Sequence, residues 1–167
     1  MKVEFKNVKS MPGEETPAFV ATLYVDDLRH GQVRSGGTGG PPFIQWNSRG
    51  EPDGWRAWCV EKAAEFHAED KVHFPEVVGD CEPPTEFNDF AQEMVLFGLY
   101  ARWEEAKYIK KRSRKVTLYR ASGQTYGPGE WSVHKAPLTD VLRAEITKHF
   151  TAKLQQVTFA LDTLEAS

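Results

Sequence analysis

A glycine-rich run at residues 35–42 is the first place where this sequence could bind a ligand. The run reads Ser-Gly-Gly-Thr-Gly-Gly-Pro-Pro and follows Arg34. Its glycines can turn successive backbone N–H groups toward an anion, because no Cβ blocks the approach. The run lacks the Lys-Ser/Thr of a Walker loop and the third glycine of a dinucleotide fingerprint, so a plain surface loop between strands is the alternative. The candidate binding residues are Arg34, Gly36, Gly37, Gly39 and Gly40.

A basic stretch at residues 107–120 is the second candidate. It contains no acidic residue, and its basic residues are Lys107, Lys110, Lys111, Arg112, Arg114, Lys115 and Arg120. Such a stretch can bind phosphate groups. The alternative is that the cations end a helix, where its macrodipole favours positive charge, and cover a solvated face.

A hairpin formed by residues 114–120 and 130–135 would extend this basic stretch into a polar sheet face. Side chains alternate along a strand, so every second residue of each segment lies on one face. That face suits a phosphate and a stacked aromatic ring. Its candidate binding residues are Lys115, Tyr119 and His134, with Thr117 and Ser132 beside them.

Neither metal binding nor covalent catalysis has a convincing motif. Cys59 and His67 are eight residues apart in a predicted helix, a rise of about 12 Å, whereas zinc ligands lie about 2.0–2.3 Å from the metal. The chain has no Gly-x-Ser-x-Gly, and neither cysteine lies in a recognisable nucleophile motif. We therefore predict no metal, no cofactor and no catalytic residue.

The composition is that of one folded domain spanning residues 1–167. Charged residues make up 27% of the chain and hydrophobic residues 40%, which disfavours disorder. No window of 18 apolar residues occurs, and the first residues lack the apolar stretch of a signal peptide. Two cysteines cannot form a disulfide framework. We expect a cytoplasmic protein without a membrane partner.

The net charge of −3 hides a strong polarity along the chain. Residues 51–105 carry four Lys/Arg against fourteen Asp/Glu, and residues 106–153 carry eleven against three. The total argues against general nucleic-acid binding, whereas the basic half could form a local anion site.

Hydrophobic periodicity predicts an α+β fold. We expect an N-terminal antiparallel β-meander in 1–47, from strands at 2–8, 18–25, 30–34 and 43–46. Two central helices follow in 51–113, the second starting at Thr85 as N-cap. Residues 114–165 then form the β-hairpin and one long C-terminal helix from residue 138, about 40 Å in length.

The end of that long helix predicts a homodimer. Its apolar stripe reaches Val157, Leu161 and Leu164, within the last eleven residues of the chain. An overhanging apolar stripe is a candidate interface. The alternative is that these side chains fold back onto the N-terminal sheet.

Two segments resemble small proteins carried by phages and mobile elements. The first reads Ala21-Thr-Leu-Tyr-Val-Asp-Asp and continues in Gly31-Gln-Val-Arg-Ser-Gly-Gly-Thr-Gly-Gly-Pro-Pro42, similar to their ATLYVDG…GxV…GxGG start. The second, Lys115-Val-Thr-Leu-Tyr-Arg120 followed by Gly129-Glu-Trp131 and Ala136-Pro137, is similar to their C-terminal part. Ser35-Gly36 stands where that pattern has Asn-Asp, so no role of the acidic position carries over. The resemblance covers under half of the chain and implies an accessory gene, not a reaction.

Three functions remain open at this point. The first is a non-catalytic phage accessory protein that binds and neutralises a host component, either a defence protein or a phosphorylated small molecule. The second is a nucleic-acid-binding protein that uses residues 107–120. The third is an enzyme acting on nucleotides.

Overall fold

The fold is taken from a computed structural model of the chain, which describes residues 1–73, 75–122, 130–151 and 156–165. The chain packs as two compact units, Met1–Arg102 and Trp103–Ser167, and the boundary falls inside the longest helix. Among the described residues no helix is long and apolar enough to span a membrane.

The first unit is built on a four-stranded antiparallel sheet in the order β1-β2-β3-β4. Every second side chain of β2 is buried, as alternation requires for a sheet with one covered face. The four predicted strands are confirmed, with bounds β1 Val3–Met11, β2 Ala18–Val25, β3 Leu28–Ser35 and β4 Phe43–Trp46.

Helices complete the core of the first unit. They are α1 (Trp55–His73), the short α2 (Pro75–Val78) and the first part of α3 (Asp89–Arg112). The N-cap predicted at Thr85 is wrong, because the Ala91 N–H donates to Asn88 Oδ1 at 2.8 Å. Asn88 therefore caps α3 in the usual N-cap geometry, three residues before the bonded amide.

The second unit is a three-stranded antiparallel sheet in the order β6-β5-β7. One face of β5 packs on α4 through Ala121 and Phe150, and the other packs on Ile109, from the end of α3. The elements are β5 Thr117–Ala121, β6 Ser132–His134, α4 Asp140–Thr151, β7 Val157–Phe159 and α5 Ala160–Glu165.

The α+β class is confirmed, but the single long C-terminal helix is wrong. Residues Val157–Phe159 form β7 and pair with β5, so that Val157 lies opposite Ala121 and Phe159 opposite Tyr119. Two of these three residues are β-branched and the third is aromatic, which suits a strand, and sheet pairing overrides the helical spacing. Residues 152–155 lie outside the described residues.

The apolar residues proposed as a dimer interface do not overhang. Val157 packs against the cluster around Phe150, and Leu161 and Leu164 pack against the cluster of Ile109, Leu118 and Ala160. The reason given for a homodimer is therefore wrong. Leu161 and Leu164 pack within the second unit, against its own sheet.

Candidate functional site

The glycine run lies in the β3–β4 connection and packs against the β1–β2 turn. The Gly37 carbonyl accepts the Glu15 N–H at 3.0 Å and the Thr16 N–H at 3.4 Å. Gly37 has a φ of 76°, and a Cβ there would lie 2.8 Å from the Gly13 Cα. Glycine is required at Gly37 to let two stretches of backbone approach closely.

A carboxylate of the same chain lies at the rim of this run. A Cβ on Gly39 would overlap the Glu15 carboxylate. Arg34 is one of the predicted anion-binding residues. Its side chain donates to Gln32 Oε1, through Nε at 2.9 Å and Nη2 at 2.6 Å. Gly36 and Gly40 are exposed. An anion beside Gly39 would face the Glu15 charge, so the geometry supports a structural role for this run.

The predicted hairpin face forms, but its strand residues are engaged within the chain. Thr117 lies opposite His134 and Tyr119 opposite Ser132, which matches the predicted alternation. Thr117 is 2% exposed and donates to the Ala136 carbonyl at 2.8 Å. The partly buried Tyr119 ring lies 5.6 Å from the ring of Phe150 on α4. Lys115, before β5, and His134 remain exposed. The loop at 123–129 lies outside the described residues.

The end of α3 carries the arrangement that best fits an anion. Ile109 is 2% exposed and turns one side of the helix toward β5. A different side forms an open groove of about 380 Å³. Its residues recur at spacings of three and four, the period of one helix face. They are Trp103, Ala106, Lys107, Lys110, Lys111 and Arg114, which we call the basic groove.

Among the described residues, no carboxylate forms a salt bridge with the cations of the basic groove. Elsewhere, salt bridges engage many basic side chains, for example Lys62 with Glu65 at 2.6 Å and Arg143 with Asp162 at 2.6 Å. Within the described ranges, no salt bridge engages Lys107, Lys110, Lys111 or Arg114, and all four are exposed. A polyanion would therefore meet these charges without displacing an acidic partner.

Two aromatic rings accompany these cations. Lys107 Nζ lies 4.7 Å from the centroid of the Trp103 ring, and the guanidinium carbon of Arg112 lies 5.7 Å from that of Tyr108. Both pairs are four residues apart, so the helix places each cation over the ring one turn before it. Tyr108 is 43% exposed and Trp103 is partly buried.

The local electrostatic potential follows from these positions. The C-terminus of a helix carries about −0.5 of an elementary charge, which the four groove cations outweigh. Trp103–Ser167 carries eleven Lys/Arg and seven Asp/Glu, a net charge of +4, whereas Met1–Arg102 carries ten and seventeen, a net charge of −7. The basic groove thus lies in the positively charged unit of an acidic chain.

One member of the predicted basic stretch has a structural role. Arg120 lies 4.1 Å over the Trp131 ring, and its Nη2 is 3.5 Å from Glu105 Oε1. Trp131 Nε1 donates to the same oxygen at 3.0 Å. This network ties the end of α3 to the hairpin and so fixes the helix that carries the groove.

The buried cysteine, Cys59, is not a reactive thiol. Burial, with a smaller contribution from the charge of Glu51, raises the pKa of the Cys59 thiol to about 12, so the thiol stays protonated at neutral pH. Cys81 is exposed. Among the described residues no three His, Cys, Asp or Glu side chains lie close enough to hold a metal ion.

No family model, curated protein or solved structure matches this chain. The resemblance to phage and mobile-element proteins therefore stays a prediction. Trp103, which lines the basic groove, was not among the residues predicted from the sequence. The signal was present, because Trp103 precedes Lys107 by four residues and Lys110 by seven, the spacing of one helix face.

Proposed function

We propose that this protein is a non-catalytic, cytoplasmic nucleic-acid-binding protein that holds a phosphate backbone in the basic groove of α3. The observation that carries the proposal is a row of exposed cations without carboxylate partners among the described residues, at Lys107, Lys110, Lys111 and Arg114. Phosphate contacts by Lys and Arg supply most of the sequence-independent affinity of such proteins.

The shape of the groove favours a polyanion over a phosphorylated small molecule. Small-ligand sites enclose most of the ligand and are lined mainly by apolar side chains. The basic groove is open, and four of its six lining residues are cations. From Trp103 to its last residue, Arg112, α3 rises about 14 Å. At about 3.4 Å per nucleotide along one strand, that length faces about four phosphates.

The other function classes lack a comparable feature. A small-molecule site would use the glycine run and the Tyr119 ring, yet Gly37 is engaged with Glu15 and Tyr119 packs on Phe150. Neutralisation of a host defence protein and a phage setting stay predictions from the resemblance. We favour nucleic acid because four cations lie together in the groove, all exposed and none engaged by a salt bridge among the described residues.

A titration with labelled oligonucleotides at several salt concentrations tests this function. Four phosphate contacts to a single strand predict a slope of log K against log salt of about −3, at about 0.7 per contact. Lys110→Ala with Lys111→Ala removes two contacts, so the slope should fall by about half and binding should weaken at least tenfold at 0.1 M salt.

The matched control is Lys9→Ala with Lys71→Ala, which removes the same charge from exposed positions of the first unit. Its affinity should stay within about twofold of the wild type. The proposal is wrong if the wild type binds no oligonucleotide at low salt, or if both double variants lose affinity equally.

A further inference from the structure

We infer that the basic groove binds a single strand, with a base stacked on the ring of Trp103. This inference rests on the proposed function and adds to it the class of nucleic acid. It starts from the position of one aromatic ring, Trp103, among four cations in the same groove.

A duplex would make no use of that ring. In double-stranded DNA the bases are stacked on one another, and a surface helix that touches the backbone meets phosphates and sugars. Proteins that bind single strands combine a positive groove with aromatic side chains on which bases stack. The groove at Trp103, Lys107, Lys110 and Arg114 has both components within three helical turns.

The contact between Lys107 and Trp103 shows how the ring becomes available. Lys107 Nζ lies 4.7 Å from the ring centroid, and the described structure gives this ammonium no carboxylate partner. A phosphate is a stronger partner for an exposed ammonium than a ring face is. When Lys107 turns to a phosphate, it leaves the ring face of Trp103, and the adjacent base takes its place on that face. Binding the phosphate and stacking the base are therefore coupled through one flexible side chain.

Tyr108 and Arg112 form a second cation–ring pair on α3, outside the groove. Arg112 lies 5.7 Å from the Tyr108 centroid, and Tyr108 is 43% exposed. Tyr108 is five residues after Trp103 and so lies about 140° around the helix from it. A strand that leaves the groove around the helix would reach this second ring. Trp103 is the ring assigned to the first stacked base, because Trp103 lines the groove itself.

The test measures binding of a labelled single-stranded thymidine 12-mer and of a 12-base-pair duplex by fluorescence anisotropy at 0.1 M salt. The wild type should bind the single strand at least tenfold more tightly than the duplex. Trp103→Leu keeps an apolar side chain but removes the ring, and should weaken single-strand binding about tenfold, within the range for loss of one base–aromatic stack. Its duplex affinity should stay within about twofold.

Two controls separate stacking from charge and from misfolding. Phe90→Ala removes another exposed aromatic from α3 and should bind both ligands as the wild type does. An abasic 12-mer keeps every phosphate but offers no base, so the wild type should bind it about tenfold more weakly than the thymidine strand. This second control needs no substitution and stands even if Trp103→Leu fails to fold.

The outcomes distinguish this inference from the proposed function. Equal or tighter binding of the duplex, or equal binding of the abasic strand, overturns the single-strand inference and leaves nucleic-acid binding intact. Failure to bind either nucleic acid overturns both. A Trp103→Leu variant that loses duplex and single-strand affinity equally shows that Trp103 only supports the helix, and also overturns the inference.

Discussion

In the first unit, salt bridges engage five basic side chains, whereas in the second unit four exposed basic side chains line one groove at the end of α3 with no salt bridge among the described residues. Salt bridges pair Lys2 and Lys6 with Glu4, Arg56 with Glu51, and Arg102 with Glu69. In the second unit, Arg120 and Arg143 also pair with carboxylates. The cations of the basic groove do not, within the residues described. The difference shows that a basic stretch of sequence can contain two kinds of cation. Some are held by carboxylates of the protein and others are exposed to a ligand, and only the contacts in the structure distinguish them.

The largest expected effect is in the glycine run, which the sequence also predicted as an anion site. A substitution there tests whether the run has a structural role instead. Gly37→Val puts a β-branched residue at a φ of 76° and a Cβ within 2.8 Å of Gly13 Cα. We expect a loss of about 3 kcal/mol in the free energy of unfolding, from backbone strain and overpacking together. Denaturant unfolding measures it.

Gly40→Val is the matched control for that loss. Apart from its two chain neighbours, no described residue has a heavy atom within 4 Å of a Cβ at Gly40, and its φ is not positive. Its free energy of unfolding should stay within about 0.5 kcal/mol of the wild type, as for most surface substitutions. If Gly40→Val abolished oligonucleotide binding while the protein stayed folded, the ligand site would lie in the first unit and the comparison would fail.

The contacts of Glu105 with Trp131 and Arg120 test whether Arg120, unlike the groove cations, has a structural role in the second unit. Glu105→Ala leaves Trp131 Nε1 without its acceptor at 3.0 Å and Arg120 without its carboxylate. We expect a loss of about 2 kcal/mol in the free energy of unfolding, the scale for hydrogen bonds to charged groups. Glu105→Gln keeps an acceptor oxygen and should lose less than half as much, by thermal or denaturant unfolding. Equal losses would show that the hydrogen bond to Trp131 contributes little.

Breaking the Arg143–Asp162 salt bridge should have the smallest effect on the free energy of unfolding. Arg143 donates to both carboxylate oxygens, at 2.6 and 2.8 Å, and these bonds lower the pKa of Asp162 from its usual 3.8. A lowered folded-state pKa adds stability that is present above the usual pKa and is lost as pH falls through the lowered value. Asp162→Asn should therefore cost less than about 1 kcal/mol at pH 7, as for exposed pairs. The difference from the wild type should shrink as pH falls below 3.8 and vanish below the lowered pKa of Asp162. A difference that persists there would assign the loss to packing.

The sequence predicted the first sheet well because its signals are local. β2 alternates apolar residues from Phe19 to Val25, and β3 pairs with it through the tight turn at Asp26 and Asp27, whose φ values are 47° and 63°. Helical spacing also located α1 and α3. Only the N-cap was misplaced, because both Thr85 and Asn88 are residue types that cap helices.

The C-terminal region was mispredicted because its structure depends on distant partners. Leu154, Val157 and Leu161 fit a helical stripe, yet Val157–Phe159 becomes a strand through pairing with β5, more than thirty residues earlier. The structural role of the glycine run could not be predicted from the sequence either, since no sequence pattern shows that Gly37 packs against Gly13. The basic stretch was evident from the sequence. Only the structure shows that Arg120 pairs with Glu105, whereas no salt bridge among the described residues engages Lys110.

The central claim is that a nucleic-acid strand binds at the end of α3 and not at the glycine run. Titration of the thymidine 12-mer into ¹⁵N-labelled protein, followed by amide chemical shifts, tests it most directly. We predict that the largest shifts fall between residues 103 and 115, with residues 36–40 unchanged. Shifts concentrated at residues 36–40, or spread evenly over both units, would contradict the account.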